Sequence, residues 1–458
     1  MMNLRTPPRK RPTNGMIRGV FAPLLREIGK WDLVGVGINA IIGAGIFGLP
    51  ARIYELSGSA ALVAYVICGV ACLLISLCFA EVSSRFSESG GPYLYARAAF
   101  GPVVGFEIGW LRWLALVVAF AANVNLLVGY TSYVWPIFND RASQMLFVTT
   151  IVFGLTAINV LGVRQTTVAN NLFALAKLVT LLAFVVVGLF FLDAHRLAIA
   201  SPPTFGGFTT SVVLVLYAFT GFEAVTIPAG EIRDPQRTIP FGLFATLAIV
   251  TSIYILIQAV YIGTATPETS ATPLVDASRR FLGGPGAYLI SVGAVLSIVG
   301  NLNGKLLAAP RLIFSMAERQ QLPGVLGAVH ERFRTPYISI LVTAALALVF
   351  ALSSTFLRLV TISVLVNVVT YAVSCASLPV LRRKGGVPPA AFSSPFGPAA
   401  AMASLALCAW LFSTSTAQEM LTTAAAAAVG VLAYAVSKIR PEHDRAAAAP
   451  ALIQPKGL

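Results

Sequence analysis

Apolar residues run along this chain in stretches of about 20, separated by short polar segments, without alternation of apolar and polar positions. A helix needs about 20 predominantly apolar residues to cross a bilayer, whereas a barrel strand shows about ten alternating positions. The pattern therefore predicts membrane-spanning helices. About twelve spans are predicted, at approximately residues 31–56, 60–84, 98–135, 144–162, 167–192, 206–231, 239–263, 286–316, 337–353, 357–381, 397–414 and 418–437.

The composition supports lipid as the solvent for the whole chain. Of the 458 residues, 57% are hydrophobic and 11% are charged, and the mean hydropathy is +0.82. Soluble domains carry about 25% charged residues, so a soluble globule with a single anchor is excluded. In hydrocarbon the backbone polar groups need internal partners, and the predicted fold class is therefore an all-α polytopic membrane protein.

The net charge is +14, and the basic residues that produce it lie between the apolar runs rather than on one face that could bind nucleic acid. Twelve spans place both termini on the same side of the membrane. If that side is the cytoplasm, the inner segments hold 23 of the 32 Lys and Arg residues and the outer loops hold six. This asymmetry follows the positive-inside rule. It predicts a multi-pass protein of the plasma (inner) membrane with both termini cytoplasmic.

Glycine interrupts the first predicted span. The glycines there, followed by Pro50, are Gly35, Gly37, Gly43, Gly45 and Gly48. Glycine inside a helix costs about 1 kcal/mol relative to alanine. We therefore expect this helix to break in mid-membrane, around Gly43-Ala44-Gly45.

The sixth span carries a matching interruption. Thr220 and Gly221 lie at its centre, Glu223 adds a carboxyl group, and Pro228 follows. Interrupted spans at corresponding positions of two halves point to a transport site, although small residues also serve simply for close helix packing. An unwound stretch presents N–H groups that attract a carboxylate and C=O groups that attract an ammonium. A free amino acid carries both.

Four motifs follow one another along the chain. They are Ile42-Gly43-Ala44-Gly45-Ile46-Phe47, the stretch from Phe79-Ala80-Glu81-Val82 to Phe100-Gly101-Pro102, the stretch from Gly230-Glu231 to Pro240, and the stretch from Asn301 to Leu322-Pro323. In this order they resemble the signatures of the amino acid–polyamine–organocation transporter superfamily, and the resemblance covers about residues 30–385.

The resemblance implies an inverted 5+5 repeat of the leucine-transporter type, with helices 1 and 6 broken. The segments are then a basic cytoplasmic tail (1–30), two five-helix repeats (31–192 and 206–381), two additional spans (397–437) and a cytoplasmic tail (438–458). The Ala- and Pro-rich composition of this last tail predicts disorder.

The resemblance also implies the substrate contacts. The substrate carboxylate would meet backbone N–H groups near Ala44, Gly45 and Ile46, just after Gly43. The substrate amine would meet carbonyl groups of Ile41, Phe219 and Thr220. Ala44 stands where the family usually has serine. One hydroxyl donor is therefore lost, and carboxylate recognition would depend on backbone amides.

Ionisable residues at bilayer depth are costly and are therefore functional candidates. Lys177 in span five is similar in position to a lysine of sodium-independent family members, where the ammonium resembles a fixed replacement for a sodium ion beside carbonyl groups near Ile42 or Gly43. Burial favours the neutral form of a lysine, which would let Lys177 carry a coupling proton. The alternative is a lysine that snorkels to the cytoplasmic surface.

Glu223 is a second candidate, as a gating or proton-sensing carboxyl group, with a structural hydrogen-bonding role as the alternative. Tyr217 and Phe222 are candidates for an aromatic side-chain pocket, although large apolar residues on helices more often serve packing alone. Glu107 and Arg112 lie five residues apart on span three, about 140° around the helix, so they are not expected to pair.

These features favour a secondary transporter of amino acids, sodium-independent and either proton-coupled or exchanging. A transporter of polyamines or cationic amino acids is the alternative, and a channel is an alternative of a different class. No set of residues typical of an enzyme, a metal site, a cofactor or a nucleotide-driven pump is found. The expected partners are a small-molecule substrate, the proton and the bilayer, while the sequence leaves the oligomeric state open.

Overall fold

The computed structural model describes residues 28–439, except 89, 162–163, 228, 265–269 and 271. The regular structure of these residues is helical, apart from one isolated parallel β-bridge between Ile28 and Ile232. The tails predicted at 1–30 and 438–458 lie outside the described residues except at 28–30 and 438–439.

Fifteen α-helices are described. Those before residue 200 are α1 (Lys30–Ile41), α2 (Ala44–Gly48), α3 (Pro50–Ser57), α4 (Ala61–Ser83), α5 (Pro92–Phe100), α6 (Pro102–Val134), α7 (Arg141–Leu161) and α8 (Arg164–Leu189). Those after it are α9 (Phe205–Phe219), α10 (Pro235–Thr264), α11 (Pro273–Glu318), α12 (Tyr337–Ser353), α13 (Phe356–Arg383), α14 (Gly397–Ser413) and α15 (Ala417–Ile439). Short 3₁₀ helices lie between them, among them Phe222–Thr226 and Ala229–Glu231.

Eight helical stretches in the described part of the chain are long and apolar enough to cross a membrane, and three shorter apolar helices accompany them. The most apolar stretch of α6 is 89% buried inside the protein, whereas that of α15 is only 11% buried. Helix α6 therefore lies at the centre of the bundle, and α15 lies at its periphery. The predicted all-helical polytopic class agrees with this architecture.

One predicted boundary was wrong. The third span, predicted from residue 98, begins at Pro102, because α5 ends at Phe100 as a separate short helix and Gly101 (φ +97°) turns the chain between them. The start of the eighth span, predicted at residue 286, agrees with the structure, because Gly283 (φ +65°, ψ −156°) breaks α11 into a short helix from Pro273 and the long span that follows. At Gly101 the apolar pattern continues across a bend that it does not record.

Helices α8 and α11 approach closely through glycines of α11. A Cβ atom built on Gly293 would lie 2.1 Å from Thr180 Oγ1, and one built on Gly300 would lie 2.5 Å from Phe173 Cβ. Only a residue without a side chain fits at such distances. The close approach brings the middle of α8, where Lys177 lies, to the centre of the protein.

Replacing Gly300 by Ala is expected to lower the midpoint of thermal unfolding, because overpacking a well-packed contact costs about 1–3 kcal/mol. Gly304, one turn further along α11, offers a matched control, since a Cβ there meets nothing within 4 Å. Gly304→Ala should keep or raise the midpoint, because alanine is favoured over glycine in helices by about 1 kcal/mol. Equal midpoints for both variants, measured by tryptophan fluorescence of the purified protein, would contradict this packing.

Candidate functional site

The first break lies between α1 and α2. Ile42 has an extended backbone (φ −69°, ψ 99°), and Gly43 has φ −137° and ψ −144°, so neither continues the helix. Beyond the break, α2 and α3 are joined through Leu49, whose backbone stays helical. The break removes intrahelical partners from the last carbonyl groups of α1 and the first N–H groups of α2.

The second break follows α9 and lies directly against the first. Thr220 is extended, and Gly221 adopts φ +116°, a conformation that favours glycine. A Cβ on Gly221 would lie 2.6 Å from the carbonyl oxygen of Ala40, and a Cβ on Gly45 would lie 2.7 Å from Ala218 Cα. The two interruptions are therefore in contact, and glycine is required on both sides.

Lys177 serves the carbonyl end of the first break. Its side chain is fully buried on α8, so the alternative of a snorkelling lysine is wrong. Its Nζ donates to the carbonyl oxygen of Ile42 at 2.7 Å and to that of Asn39 at 3.2 Å. The ammonium thus lies among carbonyl groups that the break leaves without helical partners.

Asn301 of α11 also binds the carbonyl end of the first break and links it to two other helices. Its Nδ2 donates to Asn39 O at 3.1 Å and to Ala40 O at 3.0 Å. Its Oδ1 accepts from Asn123 of α6 at 2.7 Å, and the Asn123 Oδ1 accepts from the Tyr217 hydroxyl at 2.8 Å. The chain of hydrogen bonds therefore runs from the first broken helix to the second.

Tyr254 of α10 makes a further link between the two breaks. Its hydroxyl lies 3.1 Å from the carbonyl oxygen of Ala218 and 3.4 Å from that of Ile41. One fully buried hydroxyl group therefore serves the end of both α1 and α9. Sequence reasoning missed Tyr254 and Asn123, although a polar group in the middle of an apolar span is itself a signal.

Glu223 is fully buried and forms an ion pair with Arg112 of α6 at 2.5 Å. Its Oε2 accepts from the Tyr371 hydroxyl at 3.0 Å and from the backbone N–H of Gly221 at 3.1 Å. Arg112 also donates to the Asn367 side chain at 2.6 Å. The carboxylate therefore braces the second break, and Arg112, for which no partner was predicted, is its counter-ion.

The predicted binding residues are all buried, and most of them meet at the two breaks. This group is Ile41, Gly43, Ala44, Gly45, Ile46, Tyr217, Phe219 and Thr220. Phe222 lies apart from them in an aromatic cluster, with its ring 5.8 Å from Phe79 and 5.2 Å from Tyr371.

A bundle of apolar helices built around two touching helix breaks, with buried charges on their backbone ends, defines a polytopic membrane transport protein. The chain matches the amino acid permease family model over residues 28–434 and belongs to that family. The family and the relatives described next are transporters rather than enzymes.

Three relatives come from Bacillus subtilis. The methylthioribose transporter is 30% identical over 90% of this chain and 93% of its own length. The serine/threonine exchanger SteT is 31% identical over 82% and 87%, respectively. The branched-chain amino acid permease BcaP is 27% identical over 85% and 88%.

Arg112→Met is expected to destabilise the protein by about 3–5 kcal/mol, because it leaves Glu223 buried without its counter-ion. Glu223→Met should also destabilise the protein, whereas the double variant should recover most of the loss, since both charges are then absent. Unfolding free energies in mild detergent would give the coupling, with Arg141→Met at the exposed start of α7 as control. Simply additive losses would show that the two residues are not coupled.

Proposed function

We propose that this chain is a secondary active transporter that moves amino acids across the plasma membrane by alternating access. In this proposal it has about twelve spans, arranged as the inverted repeats 31–192 and 206–381 followed by two additional spans at 397–437. Both termini are cytoplasmic. The names of two relatives, a serine/threonine exchanger and a branched-chain amino acid permease, support amino acids as the substrate class.

The observation that carries the proposal is the contact between the two helix breaks. It brings the N–H groups that begin α2 close to the carbonyl groups that end α1 and α9. In the proposal, Ala44, Gly45 and Ile46 hold the substrate carboxylate through their backbone N–H groups. The amine lies against the carbonyl groups of Ile41, Phe219 and Thr220. A zwitterion matches both ends at once.

The position of Lys177 supports sodium independence. Carbonyl oxygens are the ligands that hard cations prefer, and the Lys177 ammonium already occupies those of Asn39 and Ile42. A fixed cation there leaves a proton or a second substrate molecule to drive transport. We propose proton coupling or exchange on this ground, with Lys177 as the coupling residue.

We propose a gating role for Glu223. Its carboxylate contacts the N–H of Gly221 within the second break and the hydroxyl of Tyr371 on α13. Movement of the broken sixth span would have to change these contacts. Because Arg112 neutralises the carboxylate, Glu223 is poorly suited to bind a dication, which disfavours the polyamine alternative. Neutral amino acids are the preferred substrates.

Counterflow into proteoliposomes would test the transport proposal. Vesicles loaded with an unlabelled neutral amino acid should accumulate the same labelled amino acid above its external concentration, because a carrier exchanges the two through one site. The competitor panel should include serine, leucine, arginine, putrescine and methylthioribose, the last chosen from the name of one relative. The measurement is repeated with and without sodium and with a pH gradient.

Neutral amino acids should compete best, and replacement of sodium should not change the rate. Labelled solute that equilibrates without accumulation would indicate a channel. Competition by putrescine or arginine alone would favour the cationic alternative, and competition by methylthioribose alone would favour a sugar-like substrate. Either result would contradict the proposed substrate class.

Lys177→Met is expected to abolish accumulation of the labelled amino acid or to remove the pH dependence of that accumulation. The substitution deletes the ammonium group that is proposed to replace a sodium ion. Leu175→Met is the matched control, since residue 175 lies on the same helix with its side chain 60% exposed. Uptake is measured against external pH for both variants. Unchanged rate and unchanged pH dependence in Lys177→Met would refute the coupling role.

A further inference from the structure

A second buried carboxylate lies at the end of α4. Glu81 is 1% exposed, and Arg382 at the end of α13 binds it with two hydrogen bonds, from Nε at 2.7 Å and from Nη2 at 2.6 Å. The backbone N–H of Ser394 donates to the same carboxylate at 2.9 Å. Ser394 belongs to the segment 384–396 that connects α13 to α14, which we call the strap.

The strap is also anchored to two other elements. The Phe392 N–H donates to the Ser84 hydroxyl at 3.1 Å, and the Phe392 ring lies 5.8 Å from that of Phe244 on α10. Arg85, just after α4, donates to the carbonyl oxygen of Pro388 at 3.1 Å. The strap therefore lies across the end of α4 and against Phe244 of α10, and the Ser394 N–H holds it to the buried carboxylate of Glu81.

The same two helices, α4 and α13, meet again at the second break. Phe79, two residues before Glu81, packs its ring 6.1 Å from Tyr371 of α13 and 5.8 Å from Phe222. Tyr371 in turn donates its hydroxyl to Glu223. Tyr371 and Arg382 are three helical turns apart on α13, so a shift of α13 at the strap would be carried along one helix to Glu223.

We propose that the strap and the Glu81–Arg382 pair together form a clamp between α4 and α13, with the pair as its closing contact. Glu81 and Arg382 are positioning residues that hold Tyr371 on Glu223. Opening of the clamp frees α13 from α4 and thereby sets the rate of the conformational change. The part of the proposal that concerns transport rate rests on the proposed function, whereas the clamp itself does not.

Two native thiols report on the clamp. Cys78 lies one turn before Glu81 on α4, Cys375 lies two turns before Arg382 on α13, and both are fully buried. We expect Glu81→Gln to raise the rate of maleimide labelling at these cysteines by about tenfold or more, because loss of the closing contact exposes them through local opening. Labelling is measured on the purified full-length protein in nanodiscs, with labelled positions assigned by mass spectrometry.

Phe392→Ala serves as a second test variant, because it removes a strap anchor without leaving a buried charge unpaired. Arg383→Gln is the matched control, since Arg383 is exposed beside Arg382 and its charge change is equivalent to that of Arg382→Gln. Both Phe392→Ala and Arg382→Gln should increase labelling, and Arg383→Gln should not. The clamp proposal would be overturned if labelling is unchanged in Phe392→Ala and in those of the Glu81→Gln and Arg382→Gln variants that remain monodisperse.

Counterflow distinguishes positioning from a purely structural role. The clamp variants should change the maximal rate by about threefold or more while the KM stays within about twofold, since the proposed binding groups are elsewhere. Tyr371→Phe should reproduce the change in rate without exposing the thiols. A changed KM with an unchanged maximal rate would refute the positioning role. If labelling increases as expected but no variant, nor the parent protein, shows counterflow, the proposed function fails and the clamp stands.

Discussion

The structure depends on satisfying the backbone polar groups that two helix breaks release inside a low-dielectric bundle. In hydrocarbon, each such group without a partner costs several kcal/mol. The partners come from elsewhere in the chain: Lys177 from α8, Asn301 from α11 and Tyr254 from α10 bind carbonyl groups at the breaks. Glu223 binds the N–H of Gly221. The breaks are stable because helices distant in sequence complete them.

Glu223 and Lys177, two buried ionisable residues at the breaks, have different kinds of partner. Glu223 has a full counter-ion in Arg112, so this pair contributes little net charge. Lys177 is held by neutral carbonyl oxygens, with Asn39 and Ile42 as acceptors. In the proposed site, a Lys177 ammonium held by these carbonyl dipoles places a positive charge beside the first break. In the same proposal, that charge favours an anionic substrate group at the neighbouring N–H groups.

The sequence predicted the breaks and the all-helical class well, because glycines, Pro50 and long apolar runs are local signals. It also indicated Lys177 and Glu223, since charge in an apolar span is unusual. It could not pair Arg112 with Glu223, because the contact joins two helices whose relative rotation depends on tertiary packing. It misjudged the start of the third span, because apolar residues continue on both sides of Gly101. The strap, a connection that contains several glycines and prolines, gave no sequence signal of its contact with the buried Glu81.

The strap also bears on how separable the parts of this chain are. Arg382 belongs to α13, but the backbone N–H that completes the coordination of Glu81 comes from Ser394, just before α14 begins at Gly397. A chain shortened after α13 would keep both helix breaks and every side chain that serves them. It would nevertheless remove one hydrogen-bond donor from the buried carboxylate of Glu81 at the end of α4. The strap is thus part of the packing of α4 and α13 rather than a simple connection to the last two helices.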